Sequence, residues 1–479
     1  MINLDYITLR KFYEENVDFL IGARLQKIQQ PTRKDLIFHL RNLGESKKLY
    51  ININPQIYHI SFMSTESEAK RNLIIPKQPP MFCMLLRKYL EGAKISDAGV
   101  IDGERIFELH FEITDEYSQS RLLCLSFELM GKHSNVILYD RESNVIIGCA
   151  HNVGPEKSRY RELQGGLKYT YPLSSDLSKF TREPLYTILN NNKSLNDELD
   201  DYFSKIQEEI VLKSEKDKLY QIAQNKLKKS KSSIEKISVL LKKRDKTEEY
   251  KLYGELLTAN LYQNKDYSSK ITLLNYFTGK EVDIDLDSTK TLKENAQRYF
   301  RLYNKSKATK EKSDEMLQAL LVDKEYAENI IYSIDQAKNL TDLIEIKTEL
   351  NIEILEFNKN KKIPNKILEN ILRFSINEYE VFIGKNNKQN DYIISKLAKD
   401  EDYWFHTKTC AGSHVLLKIK NKEPDDKTLL ECAKLAREYS SAKLPSKVAV
   451  VYTKCKYIKK PPKSPLGYVI YKNEQEILI

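Results

Sequence analysis

The sequence predicts an α+β multidomain protein. Its parts are an N-terminal β-sandwich-like domain with helices, a long antiparallel helical coiled-coil arm with a small cap, and a C-terminal α+β domain. Three patterns carry that prediction. Short alternating apolar runs, which read as strands, gather in the first part and again near the end. Two heptad seams separated by a reversing segment fill the middle. No stretch approaches the ~18 apolar residues of a membrane-spanning helix.

Residues 1–172 form the first mixed unit. Thr8 to Leu20 reads as a helix with Leu9, Phe12 and Val17 near one face. Strands are expected over Asp35–Leu40, Lys48–Ile53, Arg105–Phe111, Leu122–Phe127 and Asn135–Tyr139, and a short helix with a buried Met/Leu/Phe face over Pro80–Leu90. A helix followed by many strands and one intervening helix suggests a sheet sandwich. Residues 173–204 are short and polar. Residues 205–356 are the arm: Tyr220, Leu227, Ile234 and Leu241 recur every seven residues, with Ala223, Ser230 and Ile237 three positions on. Ala327, Ile330, Ile334, Ala337 and Ile344 give the returning seam. Ordinary amphipathic bundle helices are the alternative. The cap, at about 247–300, reads as a helix Lys251–Tyr262, a hairpin Ile271–Ile284 around Gly279-Lys280, and a helix through Ala296 and Tyr303. A polar, basic linker (357–365) opens the last domain, 357–479, with strands at Tyr379–Ile383 and Val415–Ile419.

Composition narrows the function. Lys and Arg number 78 against 68 acids, a net charge of +10 that suits a polyanionic partner. Six scattered cysteines form no CxxC pair, which fits a reducing, cytoplasmic setting. The start, Met1-Ile-Asn-Leu-Asp-Tyr-Ile-Thr-Leu-Arg10, has no apolar core and does not read as a signal peptide, so no membrane partner is expected. No phosphate-cradling glycine motif, metal-ligand spacing or nucleophile elbow is present, so the sequence points to a binding protein, not an enzyme, with no cofactor and no metal.

The most informative text is Asp402-Tyr-Trp-Phe-His406, followed by Gly412-Ser413-His414-Val415. It holds the only tryptophan, with two histidines and a Gly-Ser turn. Ahead of it stands the polar loop Ile383-Gly-Lys-Asn-Asn-Lys-Gln-Asn-Asp391. Polar and aromatic groups on loops between strands suggest a binding surface, with core packing of Trp404 and Phe405 the alternative. From Lys443 to Lys463 run seven lysines and no acid, interleaved with Tyr452 and Tyr457. Lysines neutralise phosphates and tyrosines stack on unpaired bases, which favours RNA over a merely solvated basic face.

Asp-x-Trp-Phe-His followed by Gly-Ser-His-Val resembles the signature of the NFACT family's RNA-binding domain. Pro80-Met-Phe-Cys-Met-Leu-Leu-Arg-Lys88, Glu128-Leu-Met-Gly-Lys-His-Ser-Asn135 and Glu294-Asn-Ala-Gln-Arg-Tyr-Phe300 are similar to other blocks of that family, in its order. The resemblance implies an N-terminal domain with a fold similar to formamidopyrimidine-DNA glycosylases, although the chain lacks their proline nucleophile. It implies a helix-hairpin-helix module next. No glycine occurs from Leu173 to Ile206, so that module is reduced or absent.

By the same resemblance, the expected role is ribosome-associated quality control. The protein would act, as a monomer on the ribosome, on large ribosomal subunits obstructed by peptidyl-tRNA. It would recruit alanine-accepting tRNA and promote mRNA-independent C-terminal alanine tails, with the ribosome making the peptide bonds. A family Asp-Arg pair falls on Glu104-Arg105, and Glu128, Leu129, Met130, Lys132 and His133 match a tRNA-contact block; a surface salt bridge is the alternative for the pair. The implied RNA or ribosome contacts are Asn386, Asn387, Lys388, Trp404, His406, Gly412, Ser413, His414, Lys454, Lys456, Lys459 and Lys460. The competing readings are a surface adhesin for fibronectin and a nucleic-acid-binding relative of DNA glycosylases.

Overall fold

The computed structural model describes residues 3–114, 120–156, 158, 160–172, 183–189, 193–244, 246–263, 267–352, 370–420, 422–443 and 447–479. The linker expected at 357–365 and much of the polar segment 173–204 lie outside the described residues. The chain divides into two compact units, one reaching Ser214 and the other beginning at Glu215.

The first unit opens with α1 (Tyr6–Leu20), whose first turn is capped by Asp5 accepting from the Thr8 amide at 2.9 Å. It buries Leu9, Phe12, Phe19 and Leu20, while Val17 stays half-buried. Nine antiparallel strands follow: β1 (Arg24–Gln29), β2 (Asp35–Asn42), β3 (Glu45–Asn52), β4 (His59–Phe62), β5 (Lys94–Val100), β6 (Ile106–Thr114), β7 (Ser120–Glu128), β8 (Asn135–Asp140) and β9 (Ile146–Cys149). Their order is β4-β3-β2-β1-β5-β6-β7-β8-β9. At the centre β1 meets β5 through a single residue pair, Arg24 with Lys94, and each strand carries a register shift beside it. Bulges of this kind bend a sheet. The two halves consequently face one another: Phe38 of β2 and Phe127 of β7, four places apart in the order, lie 5.8 Å apart edge to face. That is the expected sandwich, formed by one folded sheet. Phe12 of α1 reaches both Phe62 and Phe107 inside it.

Between β4 and β5 stand α2 (Thr65–Arg71) and α3 (Met81–Leu90). The buried stripe of α3 is Cys83, Leu86 and Leu90, not the methionines: Met81 is 87% exposed. Its Arg87 donates to the Ile28 carbonyl at 2.7 and 2.9 Å, tying the helix to β1. After the short α4 (Leu185–Leu189), α5 (Leu195–Arg244) begins. Asp200 on its first turns forms a buried ion pair with Arg71 at 2.6 Å.

In the second unit α5 continues beside α7 (Leu292–Gln336). Lys216 donates to the Asp335 carbonyl and Lys231 faces Glu328, so the two helices run antiparallel. From Glu215 onward the buried residues described on α5 are Leu219, Ala223, Leu227 and Ser230. The seam passes through Leu219 and not Tyr220, whose ring stays half-buried with its hydroxyl accepting from Gln224. The cap comprises α6 (Thr247–Ala259) and the hairpin β10 (Lys270–Asn275) and β11 (Lys280–Asp285), with Gly279 supplying the positive φ of the turn. Leu256, Leu257, Ile271, Ile284, Leu292 and Ala296 share its core. At 45 residues, α7 spans roughly 65–70 Å. It is followed by α8 (Leu340–Glu349).

The last domain is a six-stranded sheet in the order β12-β13-β15-β14-β16-β19. These are β12 (Leu372–Ile376), β13 (Tyr379–Ile383), β14 (Tyr403–Thr407), β15 (Val415–Lys418), β16 (Ala449–Lys454) and β19 (Gln475–Leu478). A helix, Asp426–Glu438, covers one face and buries Phe405, Val415 and Val450 with its own Cys432, Ala433 and Ala436. Side chains alternate along a strand, so Trp404 and His406 belong to the opposite face. A separate two-residue pair joins β17 (Ile458–Lys459) to β18 (Ile470–Tyr471). Among the described residues no helix is long and apolar enough to cross a membrane.

Candidate nucleic-acid interface

The first unit carries a cleft of about 1450 Å³. Its walls are the turn into β8, α3, the end of β9 and the segment after it. Gly131 adopts φ +66 and starts a single 3₁₀ turn, Gly131–His133, pinned by the Ser134 hydroxyl accepting from the Met130 amide at 2.9 Å. That turn leaves Lys132 and His133 exposed on the rim. Across from it α3 presents Met81, Phe82 and Leu85. α3 sits this close because Gly148 of β9 has no side chain: a Cβ there would stand 2.7 Å from Leu85 Cδ1. Arg33 and Tyr160, the latter 83% exposed, add a further cation and an open aromatic face. Cations with an exposed tyrosine and methionine suit a phosphate backbone and unstacked bases.

Beneath the cleft Glu128 is fully buried. Both its oxygens are held by Arg161, and Tyr169 donates to it at 2.9 Å. Burial and then the Glu128 charge push the Tyr169 hydroxyl up. Arg161 also donates to the Thr170 carbonyl at 2.9 Å, closing the segment 161–170 over the sheet. Glu128 and Leu129, expected at a tRNA contact, are therefore interior residues; Met130, Lys132 and His133 of the same block line the cleft. Glu104 and Arg105 lie on the turn entering β6 and do not line it. Arg105 donates to the Tyr58 hydroxyl at 2.7 Å and its guanidinium lies 5.4 Å over that ring. Tyr58 in turn packs beneath Gly131, whose position a Cβ would bring to 3.6 Å. Arg105 is thus coupled to the Lys132 turn through one tyrosine. Sequence reading missed Arg33, Met81, Tyr160 and Arg161. The basic–aromatic run Lys157-Ser-Arg-Tyr-Arg161 was a signal of the same kind as the C-terminal lysines.

In the second unit the polar loop after β13 is turned inward. Asn386 and Gln389 donate to Glu345 of α8 at 2.6 and 2.7 Å, Asn387 donates to Glu349 at 3.0 Å, and Lys385 pairs with Asp342 at 2.7 Å. Asn386 and Asn387 are buried and fasten α8, so of the three expected contacts in this loop Lys388, half-buried, is the one open to a ligand. Gly412 and Ser413 are interior too. A Cβ on Gly412 would lie 3.0 Å from Ser440 Cβ and 3.1 Å from Thr407 Oγ1. The lysine run is less free than its local sequence suggests. Lys454 bridges Glu401 and Glu423 at 2.8 and 2.6 Å, Lys456 pairs with Glu401, and Lys460 pairs with Asp391. Lys459 is exposed. Its three neighbours' charges are partly offset by acids distant in sequence.

Trp404, His406 and His414 do converge. The indole lies 5.7 Å from His406, nearly parallel at 4°, and 5.3 Å from His414, edge on. They border a cleft of about 520 Å³ with Lys324 and Asn329 of α7, Lys408, Tyr468 and Tyr471.

Several imidazoles are held neutral. Burial pushes His59, His406 and His414 below the ordinary range, helped by Arg71 at His59 and by His406 at His414. The unfolded chain, with histidines near ~6.5, takes up protons first as pH falls. The stability from neutral rings is therefore complete above about pH 6.5 and is lost below it. The melting temperature should be lower at pH 5.5 than at pH 7.5 in calorimetry at fixed ionic strength; an unchanged value would contradict this.

Residues 5–192 and 178–367 match the family described as NFACT N-terminal and middle domains, and residues 354–473 match the NFACT protein RNA binding domain. The chain is 30% identical over 553 residues to "Rqc2 homolog RqcH" of Bacillus subtilis, covering 96% of this chain and 95% of that one. It is 28% identical to the protein of the same name from Streptococcus pneumoniae D39, covering 100% and 98%. Among solved structures, the C-terminal part of the fibronectin/fibrinogen-binding protein from Streptococcus suis aligns with TM-score 0.42 and 24% identity, over 56% of this chain and 94% of that one. The N-terminal domain of fibronectin-binding protein PavA from S. pneumoniae aligns with TM-score 0.34 and 30% identity, over 44% and 80%.

Proposed function

The chain belongs to the NFACT family, and from that premise we propose that it is a cytoplasmic ribosome quality-control factor. It binds large ribosomal subunits obstructed by peptidyl-tRNA and recruits alanine-accepting tRNA. It thereby promotes mRNA-independent addition of C-terminal alanine tails that mark the nascent chain for degradation. The ribosome forms the peptide bonds; this protein supplies binding and position. The observation that carries the reading is the head cleft, where Arg33, Lys132, His133 and Tyr160 combine phosphate-seeking charge with an open aromatic face. In this proposal the chain comprises a head at 1–172, a short segment at 173–204, an arm at 205–356 and an RNA-binding domain at 357–479.

In this reading Glu104 and Arg105 act next to the cleft. A carboxylate accepts from a base edge and a guanidinium pairs with phosphate or base acceptors. Arg105 is already oriented by Tyr58. Arg105→Ala should lower the tRNA recovered per bound large subunit about tenfold, the worth of one charge-assisted hydrogen bond, while subunit binding is retained. The two are quantified separately after pull-down. Equal loss of both, with a lower melting temperature, would make Arg105 a structural residue and remove it from the tRNA contact.

A further inference from the structure

The second cleft contains two polar atoms that ordinary folding does not explain. Trp404 is 1% exposed and His414 3% exposed, yet Trp404 Nε1 and His414 Nδ1 are both buried without a hydrogen-bond partner. Leaving such groups unpaired is costly, and the residues Trp404 and His414 both line the same 520 Å³ cleft, within the ~300–1,000 Å³ usual for small-ligand sites. The indole nitrogen is a donor. A His414 ring nitrogen is already committed to the Asn390 backbone, which leaves the unpartnered Nδ1 as an acceptor. Ring centroids 5.3 Å apart thus offer one donor beside one acceptor.

The remaining walls are aromatic and basic. Tyr471 lies 5.2 Å from the indole, and Tyr468 stands beside it. Gly467, at φ +74 and packed so that a Cβ would lie 3.3 Å from the Asn387 backbone, is among the residues that line the cleft. Lys324 and Lys408 sit at the rim, each near an acid, Glu328 and Glu476 respectively.

We propose that this cleft is a subsite for one unpaired nucleobase of single-stranded RNA, bound through its Watson–Crick edge by Trp404 Nε1 and His414 Nδ1. Every base presents an adjacent acceptor and donor on that edge, and pairing in a duplex uses it up; adenine repeats the pattern on its Hoogsteen edge, which the deep, narrow major groove of an RNA duplex hides, so the site selects unpaired RNA. Tyr471 and Tyr468 supply stacking faces, and Lys324 and Lys408 face the sugar-phosphate. The proposal rests on the reading of residues 354–473 as an RNA-binding domain and adds where and how a base is held.

Trp404 is the only tryptophan, so its emission reports this cleft directly. The full-length protein is titrated with a single-stranded RNA hexamer, an abasic strand of equal length, and a duplex of the same sequence. Binding is followed in parallel by anisotropy of a labelled strand. Saturable change of Trp404 emission with the hexamer, and affinity at least about tenfold weaker for the abasic strand and the duplex, are expected. His414→Gln, checked for an unchanged melting temperature, should remove that preference while leaving residual, salt-sensitive binding. Equal binding of hexamer and abasic strand without emission change would overturn the base subsite yet leave RNA binding standing. No binding of either strand would overturn both. An emission change produced by zinc chloride and not by RNA would assign the cleft to a metal and overturn the proposal.

Discussion

Arg161→Ala should destabilise the first unit by about 3–5 kcal/mol, the usual consequence of stranding one partner of a buried ion pair. Glu128 is fully buried with Arg161 on both oxygens, and Tyr169 satisfies only one of them. Without the guanidinium, the carboxylate must stay charged in the interior or take up a proton. The double replacement Glu128→Leu with Arg161→Leu should cost much less than Arg161→Ala, because it removes the stranded charge as well as the pair. Calorimetry reads this best, since the single tryptophan lies in the other unit. A change under about 1 kcal/mol for Arg161→Ala would show that the pair is solvated and that Glu128 is open to ligand.

Asp402→Ala should be comparably severe in the second unit, again about 3–5 kcal/mol. The Asp402 carboxylate is 1% exposed; it accepts from the Lys399 amide at 2.7 Å and the Ile419 amide at 2.9 Å and is ion-paired with Lys418. Its removal strands two amides and an ammonium at once. Asp402→Asn keeps an acceptor oxygen and should fall between. Denaturant unfolding followed by Trp404 emission measures both. An Asp402→Ala protein as stable as the parent, but deficient in RNA binding, would move Asp402 from scaffold to interface.

These two residues explain how far the sequence could be read. Asp402 and Glu128 belong to the most recognisable blocks of the chain, yet their side chains point inward and hold the loops that carry other contacts. A motif identifies a local structure without saying which members face the ligand. Central strands such as β2, β7 and β8 were legible because their apolar runs are strong. β1 (Arg-Leu-Gln-Lys-Ile-Gln) and β5 (Lys-Ile-Ser-Asp-Ala-Gly-Val) were not, because their polar and small residues have weak strand preference and pairing alone places them. The lysine run looked free because Glu401, Glu423 and Asp391, which bind it, are brought in by folding across 31 to 69 positions. Trp404, His406 and His414 stand in one short span of sequence and the fold brings their rings together; that two of their nitrogens lack partners needed coordinates.

The central claim, RNA-mediated binding to obstructed large subunits, is tested most directly by sedimentation. The protein is mixed with large subunits carrying peptidyl-tRNA, with vacant large subunits, and with intact ribosomes, and is centrifuged at rising salt. The account predicts co-sedimentation with the obstructed large subunit, bound tRNA in the same fraction, and affinity falling steeply and linearly in log–log form as salt rises. Co-sedimentation with intact ribosomes only, or binding indifferent to salt, would contradict it.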